Sequence, residues 1–417
     1  MEFIRFYKQK RILHKYVRWL YELTDEGRFQ TLPKAKKIKD FPFNWKAEDG
    51  GKIKYFEKMY HCADTFSADV DFDTGEHTLG HGFFCQDRIC PVCCVKKSLK
   101  EYSKLTFQMN YFKKDYTYYF LTLTLPNNPD GFRSELDLLS KILTELGDFV
   151  GFDHTKRSVQ ICEGLYGSYE ITKSDYGWHP HLHLVLAYPT NYVQSTASVK
   201  KTIRGRERVF ENGLDLRAGD KSLFLNQDII MNKYIQLIRK YTDIYDERLE
   251  DLNFLNIGFQ PCYNIEQGVN EMSKYLIDFE AIQNKDDLFI YIRDSYGKKQ
   301  RVRRGCFIWT EEVAEAHREF MDRWHLEQNL NFMQLGEAVD PESITRRNVH
   351  PAHMFWSYNG FVATYLAEKE YTIPFTSTKK IVFYYHRIKI TPCFDSSGAP
   401  MGYHVERLPD LLLSQVK

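Results

Sequence analysis

The chain has 417 residues, a length that predicts two or three domains rather than one core. Hydrophobic residues make up 43% and charged residues 27%, the balance of a globular protein, and no apolar run reaches the roughly eighteen residues of a membrane span. A net charge of +1 excludes a uniformly basic surface, so a nucleic-acid partner would have to meet local patches.

The opening residues, MEFIRFYKQKRILHKYVRWL, mix charged and apolar positions as an amphipathic helix does. They lack a signal-peptide core, which predicts a cytoplasmic protein. Helix is expected over residues 1–30, and Leu32-Pro33 opens a basic loop. Five of the nine cysteines (Cys62, Cys85, Cys90, Cys93 and Cys94) then fall within one short stretch, which in a reducing compartment reads as a metal site. Cys85-x4-Cys90-x2-Cys93 with Cys62 upstream supplies four thiolates for a closed structural zinc. Cys94 competes with Cys93 for that role, and His61, His77 and His81 compete with Cys62.

A helix runs on from the cysteines with Lys97, Lys100 and Lys104 on one face. The run TYYFLTLTL, 117–125, predicts a strand ended by Pro126-Asn127-Asn128-Pro129, and a helix follows near 133–147. Residues 165–172 and 181–188 predict an antiparallel hairpin about the polar segment 173–177. Helix near 226–245, a strand over 254–263, helix over GVNEMSKYLIDFE and helix over 310–325 complete the middle of the chain. The tail offers one clear strand, KIVFYYHRIKI.

The most informative stretch is His179-Pro-His181-Leu-His183-Leu-Val-Leu. On a strand, His181 and His183 project from one face while Leu182, Leu184 and Leu186 enter the core. Two imidazoles on a rigid strand supply two ligands to a divalent metal and leave positions open for substrate. Glu170, on the preceding strand of the hairpin, is the candidate third ligand.

Tyr275 stands out among 28 tyrosines by its company. On a helix Glu271 and Tyr275 are i,i+4 neighbours. They border an apolar stripe of Val269, Met272, Leu276 and Phe279, and Lys274 is placed to meet a phosphate. A phenol with a pKa near 10 is a weak nucleophile at neutral pH, and a metal that polarises the attacked phosphate lowers the demand on it. A carboxylate one turn away suits a general base for water.

Taken in order, FLTLTLPN (120–127), WHPHLHLVL (178–186) and NEMSKYLIDF (270–279) resemble the three motifs of plasmid rolling-circle initiators in the HUH endonuclease superfamily. FCQDRICPVC (84–93) is similar to the cysteine segment many of them carry, and the basic GKKQRVRRGCF (297–307) resembles a stretch after their tyrosine helix. The resemblance covers roughly 60–310 and implies an α+β fold, a central antiparallel sheet flanked by helices, with an N-terminal zinc-binding module. It implies Mn or Mg on His181 and His183, Tyr275 as nucleophile and Glu271 as water-activating base. Structural zinc would sit on Cys62, Cys85, Cys90 and Cys93. DNA contacts are expected at Lys274, Lys298, Lys299, Arg301, Arg303 and Arg304.

The domains implied are 1–110 for the helical and zinc-binding region, 111–310 for the nicking domain and 311–417 for a tail of unassigned role. The activity implied is strand-specific nicking at a plasmid origin through a 5′-phosphotyrosine, in the bacterial cytoplasm, with a host helicase, single-strand-binding protein and polymerase as partners. The long segment between the histidine strand and Tyr275, and the tail, depart from shorter members. Relaxases of the superfamily place the tyrosine before the histidines, whereas here it follows. A transposase of the same chemistry and a non-catalytic zinc-dependent DNA-binding regulator are the alternatives. A metallo-β-lactamase pattern fails at Val185, where it wants Asp.

Overall fold

The computed structural model describes residues 2–31, 56–75, 82–152, 160–203, 205–242, 257–273, 278–320, 349–357, 360–372, 379–396 and 400–412. The architecture is α+β, with antiparallel sheets flanked by helices. Two units divide the chain: Met1–Lys96 with Glu327–Lys417, and Lys97–Leu326. Among the described residues no helix is long and apolar enough to cross a membrane.

The unit Lys97–Leu326 is built on a five-stranded sheet. Its order is Ile257–Pro261, Tyr116–Thr124, Gly177–Pro189, Gly164–Ser174, Arg301–Gly305, with every neighbour antiparallel. The expected hairpin is present, closing at Ser174 opposite Gly177. Gly177 has φ +114, and a Cβ there would sit 2.6 Å from the Asn128 carbonyl oxygen, so glycine is required. That close approach lets Trp178 and Asn128 exchange two backbone hydrogen bonds of 2.8 Å.

The two faces of the central strand are covered differently. Leu182, Leu184 and Leu186 are buried on one face, as their alternation with the histidines predicts. Helix Arg133–Phe149 covers that side, its Leu136, Leu139, Ile142, Leu143 and Leu146 recurring at three- and four-residue spacing. Tyr188, also on that face, donates its hydroxyl to the Val150 carbonyl just past the helix end. Helix Gln227–Tyr241 packs alongside, with the Asn226 side chain accepting from Ile229 N–H as its N-cap. Truncating a side chain such as Leu184 to Ala would cost about 2–5 kcal/mol.

On the other face Val185, Ala187, Tyr118 and Tyr166 form a core with Leu105 and Met109 of helix Pro91–Tyr111. Val269 and Met272 of helix Ile265–Ser273 join the same core. This helix lies so close to the sheet that a Cβ at Gly268 would overlap the Phe120 ring. Of the stripe expected on the tyrosine helix, Val269 and Met272 are therefore docked. Phe279 is buried too, but in a separate 3-10 turn, Phe279–Ala281, capped by the Asp278 side chain. Residues 274–277 lie outside the described set.

In the other unit, strand Thr65–Asp71 pairs with Val349–Ser357, and the sheet continues through Gly360–Thr372, Lys379–Phe394 and Pro400–Leu412. Among the described residues the tail thus supplies four strands where the sequence shows one clearly. Helix Glu2–Asp25 buries Leu13, Tyr16, Val17, Leu20 and Leu23, spaced as an amphipathic helix requires. Lys10 of that helix is wholly buried. Its ammonium donates to the Tyr60 and Cys62 carbonyls at 3.0 and 2.6 Å and to Asp64 Oδ1 at 2.5 Å. A buried cation is tolerable only when its donors are satisfied in this way.

Candidate functional site

Along strand Gly177–Pro189 the face that bears Val185 and Ala187 changes character where the helical cover stops. Toward the hairpin turn, His183, His181 and His179 occupy the same face and are half-buried, while every other residue of the strand is buried. The His181 and His183 rings are near parallel, tilted 15° with centroids 6.0 Å apart. Thr122 lies opposite His183 and Thr124 opposite His181 on one neighbouring strand, with Ser168 and Glu170 opposite them on the other. The rows across the sheet are polar here and apolar under the helices.

Hydrogen bonds fix the pair. His183 Nε2 is 2.9 Å from Glu170 Oε2, and its Nδ1 is 3.2 Å from the Thr122 hydroxyl. His181 Nε2 is 3.1 Å from the Thr172 hydroxyl. Burial lowers the pKa of His179, partly offset by a backbone hydrogen bond involving Leu125. Two imidazoles and a carboxylate on one open face are donors of the right chemistry for a divalent metal. In this arrangement Glu170 engages His183, and His181 Nε2 faces the Thr172 hydroxyl.

A cleft of about 330 Å³ opens beside His183. Its walls are Phe120 and Thr122 from one strand, Gln260 from the next, Tyr263 and Asn264 in the connection, and Gly268 and Met272 of helix Ile265–Ser273. Tyr263 is exposed. Met272 was expected on the apolar stripe, and Phe120 and Thr122 lay within FLTLTLPN without a role, whereas Gln260, Tyr263, Asn264, Gly268 and Thr172 were not singled out from sequence. The alternating Leu-Thr-Leu-Thr of 121–124 was the available signal, because it places both threonines on the histidine face. Glu271 lies on helix Ile265–Ser273, whereas Lys274 and Tyr275 fall outside the described residues.

The cysteines converge far more tightly. The sulfurs of Cys62, Cys85, Cys90 and Cys93 all lie within 4.8 Å of one another. Cys62–Cys93, Cys85–Cys93 and Cys62–Cys90 are separated by 3.5, 3.6 and 3.7 Å. Four thiolates about 2.3 Å from a zinc at tetrahedral angles would stand about 3.8 Å apart, so the quartet fits that ion. Backbone N–H groups of Cys85 and Gln86 point at the sulfurs of Cys62 and Cys93, at 3.4 and 3.2 Å, with Gln86 held at φ +60. Burial, then the neighbouring thiols, push the Cys90 thiol well above its ordinary range. Hydrogen bonds from the other three sulfurs pull Cys93 down. Crowded thiols of this kind ionise together only around a cation. Cys94 instead donates to the Arg88 carbonyl, and exposed His61 pairs with Asp64. His77 and His81 lie outside the described residues.

The basic run 298–304 is divided between the two faces of the sheet. Lys298 pairs with Asp137 of helix Arg133–Phe149, and Arg304, opposite Leu165, faces that same helix. Arg301 and Arg303, opposite Ser168 and Tyr166, share the histidine face.

Residues 76–202 match the family model described as "Replication protein". The match takes in the cysteine run from Cys85 and the histidine strand, and it stops before helix Ile265–Ser273. Curated relatives named "Protein rep" share the likeness. One from Bacillus sp is 31% identical over 143 residues, 33% of this chain and 45% of that protein. One from Bacillus amyloliquefaciens is also 31% identical over 143 residues, 33% of this chain and 41% of that protein. One from Streptococcus pneumoniae is 29% identical over 154 residues, 35% of this chain and 45% of that protein. The chain thus spans less than half the length of these relatives. No solved structure matches it significantly.

Proposed function

We propose that this protein initiates rolling-circle replication of a plasmid by nicking one strand of origin DNA through Tyr275. The observation that carries the reading is the polar end of an otherwise covered sheet face. His181 and His183 emerge there, beside a cleft walled by the helix that leads to Tyr275. The family match over residues 76–202 supports it.

In this reading His181 and His183, with Glu170, hold a divalent cation, Mn or Mg, which when bound polarises the scissile phosphate. The Tyr275 oxygen attacks the phosphorus, the bond to the 3′ oxygen breaks, and that oxygen leaves as a 3′-hydroxyl carrying a proton. The 5′-phosphate stays esterified to Tyr275, which conserves the bond for joining. At termination Glu271 takes a proton from water, whose oxygen displaces Tyr275. Support for this reading comes from Gly268, whose missing side chain lets helix Ile265–Ser273 approach the Phe120 ring of the sheet. Lys299, Arg301 and Arg303 contact the DNA backbone. The quartet of Cys62, Cys85, Cys90 and Cys93 holds a structural zinc. Host helicase, single-strand-binding protein and polymerase act after the nick.

Incubation with supercoiled plasmid carrying the cognate origin and Mn²⁺ or Mg²⁺ should yield a site-specific nick with protein on the 5′ end. Tyr275→Phe should lose both nick and adduct. Glu271→Ala should still nick but accumulate the adduct, because water is no longer activated. A wild-type protein that binds origin DNA and leaves it intact would instead favour a non-catalytic regulator.

A further inference from the structure

Two basic runs about two hundred residues apart meet on the histidine face. Arg301 stands opposite Ser168, and Ser168 stands opposite His183, so the three form one row across the sheet. Two strand spacings make that row about 10 Å long. In the next row Arg303 lies opposite Tyr166, with its guanidinium 5.5 Å from the ring centre, and Tyr166 lies opposite Val185. Helix Pro91–Tyr111 covers this side of the sheet and brings Glu101 into an ion pair with Arg303. Lys299, Gln300, Arg301, Arg303 and Glu101 line a shallow depression.

The lysines of the helix belong to the same patch. Lys104 sits 4.5 Å over the Trp309 ring. Its pKa is lowered by burial and then by the Lys100 charge, with Glu101 opposing and Arg303 adding to the fall. Lys104 lies one turn beyond Glu101 on helix Pro91–Tyr111, beside the Glu101–Arg303 pair, and a polyanion would neutralise cations gathered in this way. On hairpin Ser198–Glu211 Lys200 is paired with Glu207, and Lys201 with Asp215.

We propose that Lys100, Lys104, Lys299, Arg301 and Arg303 form one track for the phosphates of single-stranded DNA entering the histidine cleft. Glu101 sets the strength of that track by competing with phosphate for Arg303. The proposal rests on the nicking reading only for the identity of the strand. Glu101 keeps Arg303 ordered and partly neutralised without DNA, and an arriving phosphate must displace the carboxylate. Binding is thereby weakened, which suits a protein that has to let its strand go after each round.

The test uses the full chain, a fluorescent oligothymidine and metal-free buffer, with binding followed by anisotropy across a salt series. Arg301→Gln and Lys104→Gln should each make the slope of log K against log salt shallower by about 0.7, the value of one phosphate contact on a single strand. Glu101→Gln should bind about fivefold tighter, with a steeper slope. Glu101→Gln combined with Arg303→Gln should lose that gain. Lys240→Gln, a cation paired with Glu145 on another helix, serves as the charge control and should change nothing. Slopes that stay fixed in the Arg301 and Lys104 variants, or that fall instead on changing Lys200, Arg206 and Arg208, would overturn the track. Unchanged or weaker binding by a folded Glu101→Gln would overturn the competition. If Glu101→Gln fails to fold, Glu101→Ala takes its place and should likewise bind tighter, because no carboxylate then competes with phosphate for Arg303. Absence of nicking with these slopes intact would count against the nicking reading alone.

Discussion

The cysteine quartet and the histidine face are both donor sets for metals, and they are built in opposite ways. At the quartet, four sulfurs converge within 4.8 Å with backbone N–H groups aimed at them, and three of the four cysteines are buried. At the histidine face, two half-buried rings stand 6.0 Å apart with a cleft alongside. A closed set of this kind leaves no position open, so a metal bound there would hold the chain together. An open set leaves coordination positions for something else, so its metal would act on a ligand.

If that contrast is right, the largest effect on stability belongs to the cysteines. Cys90→Ser, or strong chelation, should abolish a zinc content of about one per chain and melt the surrounding unit. Zinc at such sites is worth on the order of 10 kcal/mol. Elemental analysis with circular dichroism would check this, and metal-free protein of unchanged stability would erase the distinction. The histidines should show the reverse pattern. His181→Ala or His183→Ala should cut nicking by roughly a hundredfold to a thousandfold, matching the several kcal/mol that a catalytic cation contributes. The melting temperature should barely move, and a large drop would make these side chains structural.

A smaller effect sharpens the comparison within the cysteine unit. His14 stacks on Tyr60, two residues from Cys62, with ring centres 4.5 Å apart. Burial, then the Lys10 charge, pull its pKa down to about 4 from 6.5. Between those pH values the unfolded chain takes up a proton that the folded chain refuses, so stability falls as pH drops from 6.5 toward 4. His14→Phe keeps the stacking and removes that proton site. Its melting temperature should gain on the parent as pH is lowered through this window, and a constant difference would assign the acid sensitivity to other groups.

The sequence carried the histidine face well, because a strand alternates strictly and the leucines between the histidines declare which face is core. The cysteine quartet was legible in its spacing, but the choice of Cys93 over Cys94 needed the helix beginning at Pro91, which turns Cys94 toward the Arg88 carbonyl. Lys298–Arg304 looked uniform, since nothing local tells which alternate residue meets which helix. Only the register with Gly164–Ser174 separates Arg301 and Arg303 from Arg304. The tail strands were hidden for a different reason. Lys369 and Glu370 interrupt an apolar pattern, and the partner of Val349–Ser357 lies nearly three hundred residues earlier.

That last pairing bears on how the chain is made. Thr65–Asp71 emerges early in synthesis, but its neighbour in the sheet, Val349–Ser357, is translated only after the whole of Lys97–Leu326. The intervening unit contains all its own sheet partners and can fold while the ribosome is still working. The opening segment must wait with an unpaired strand edge, the state most open to wrong pairing between chains. Slowing translation beyond residue 326 should therefore harm the yield of active protein more than slowing it earlier, and a chaperone that shields strand edges should restore it.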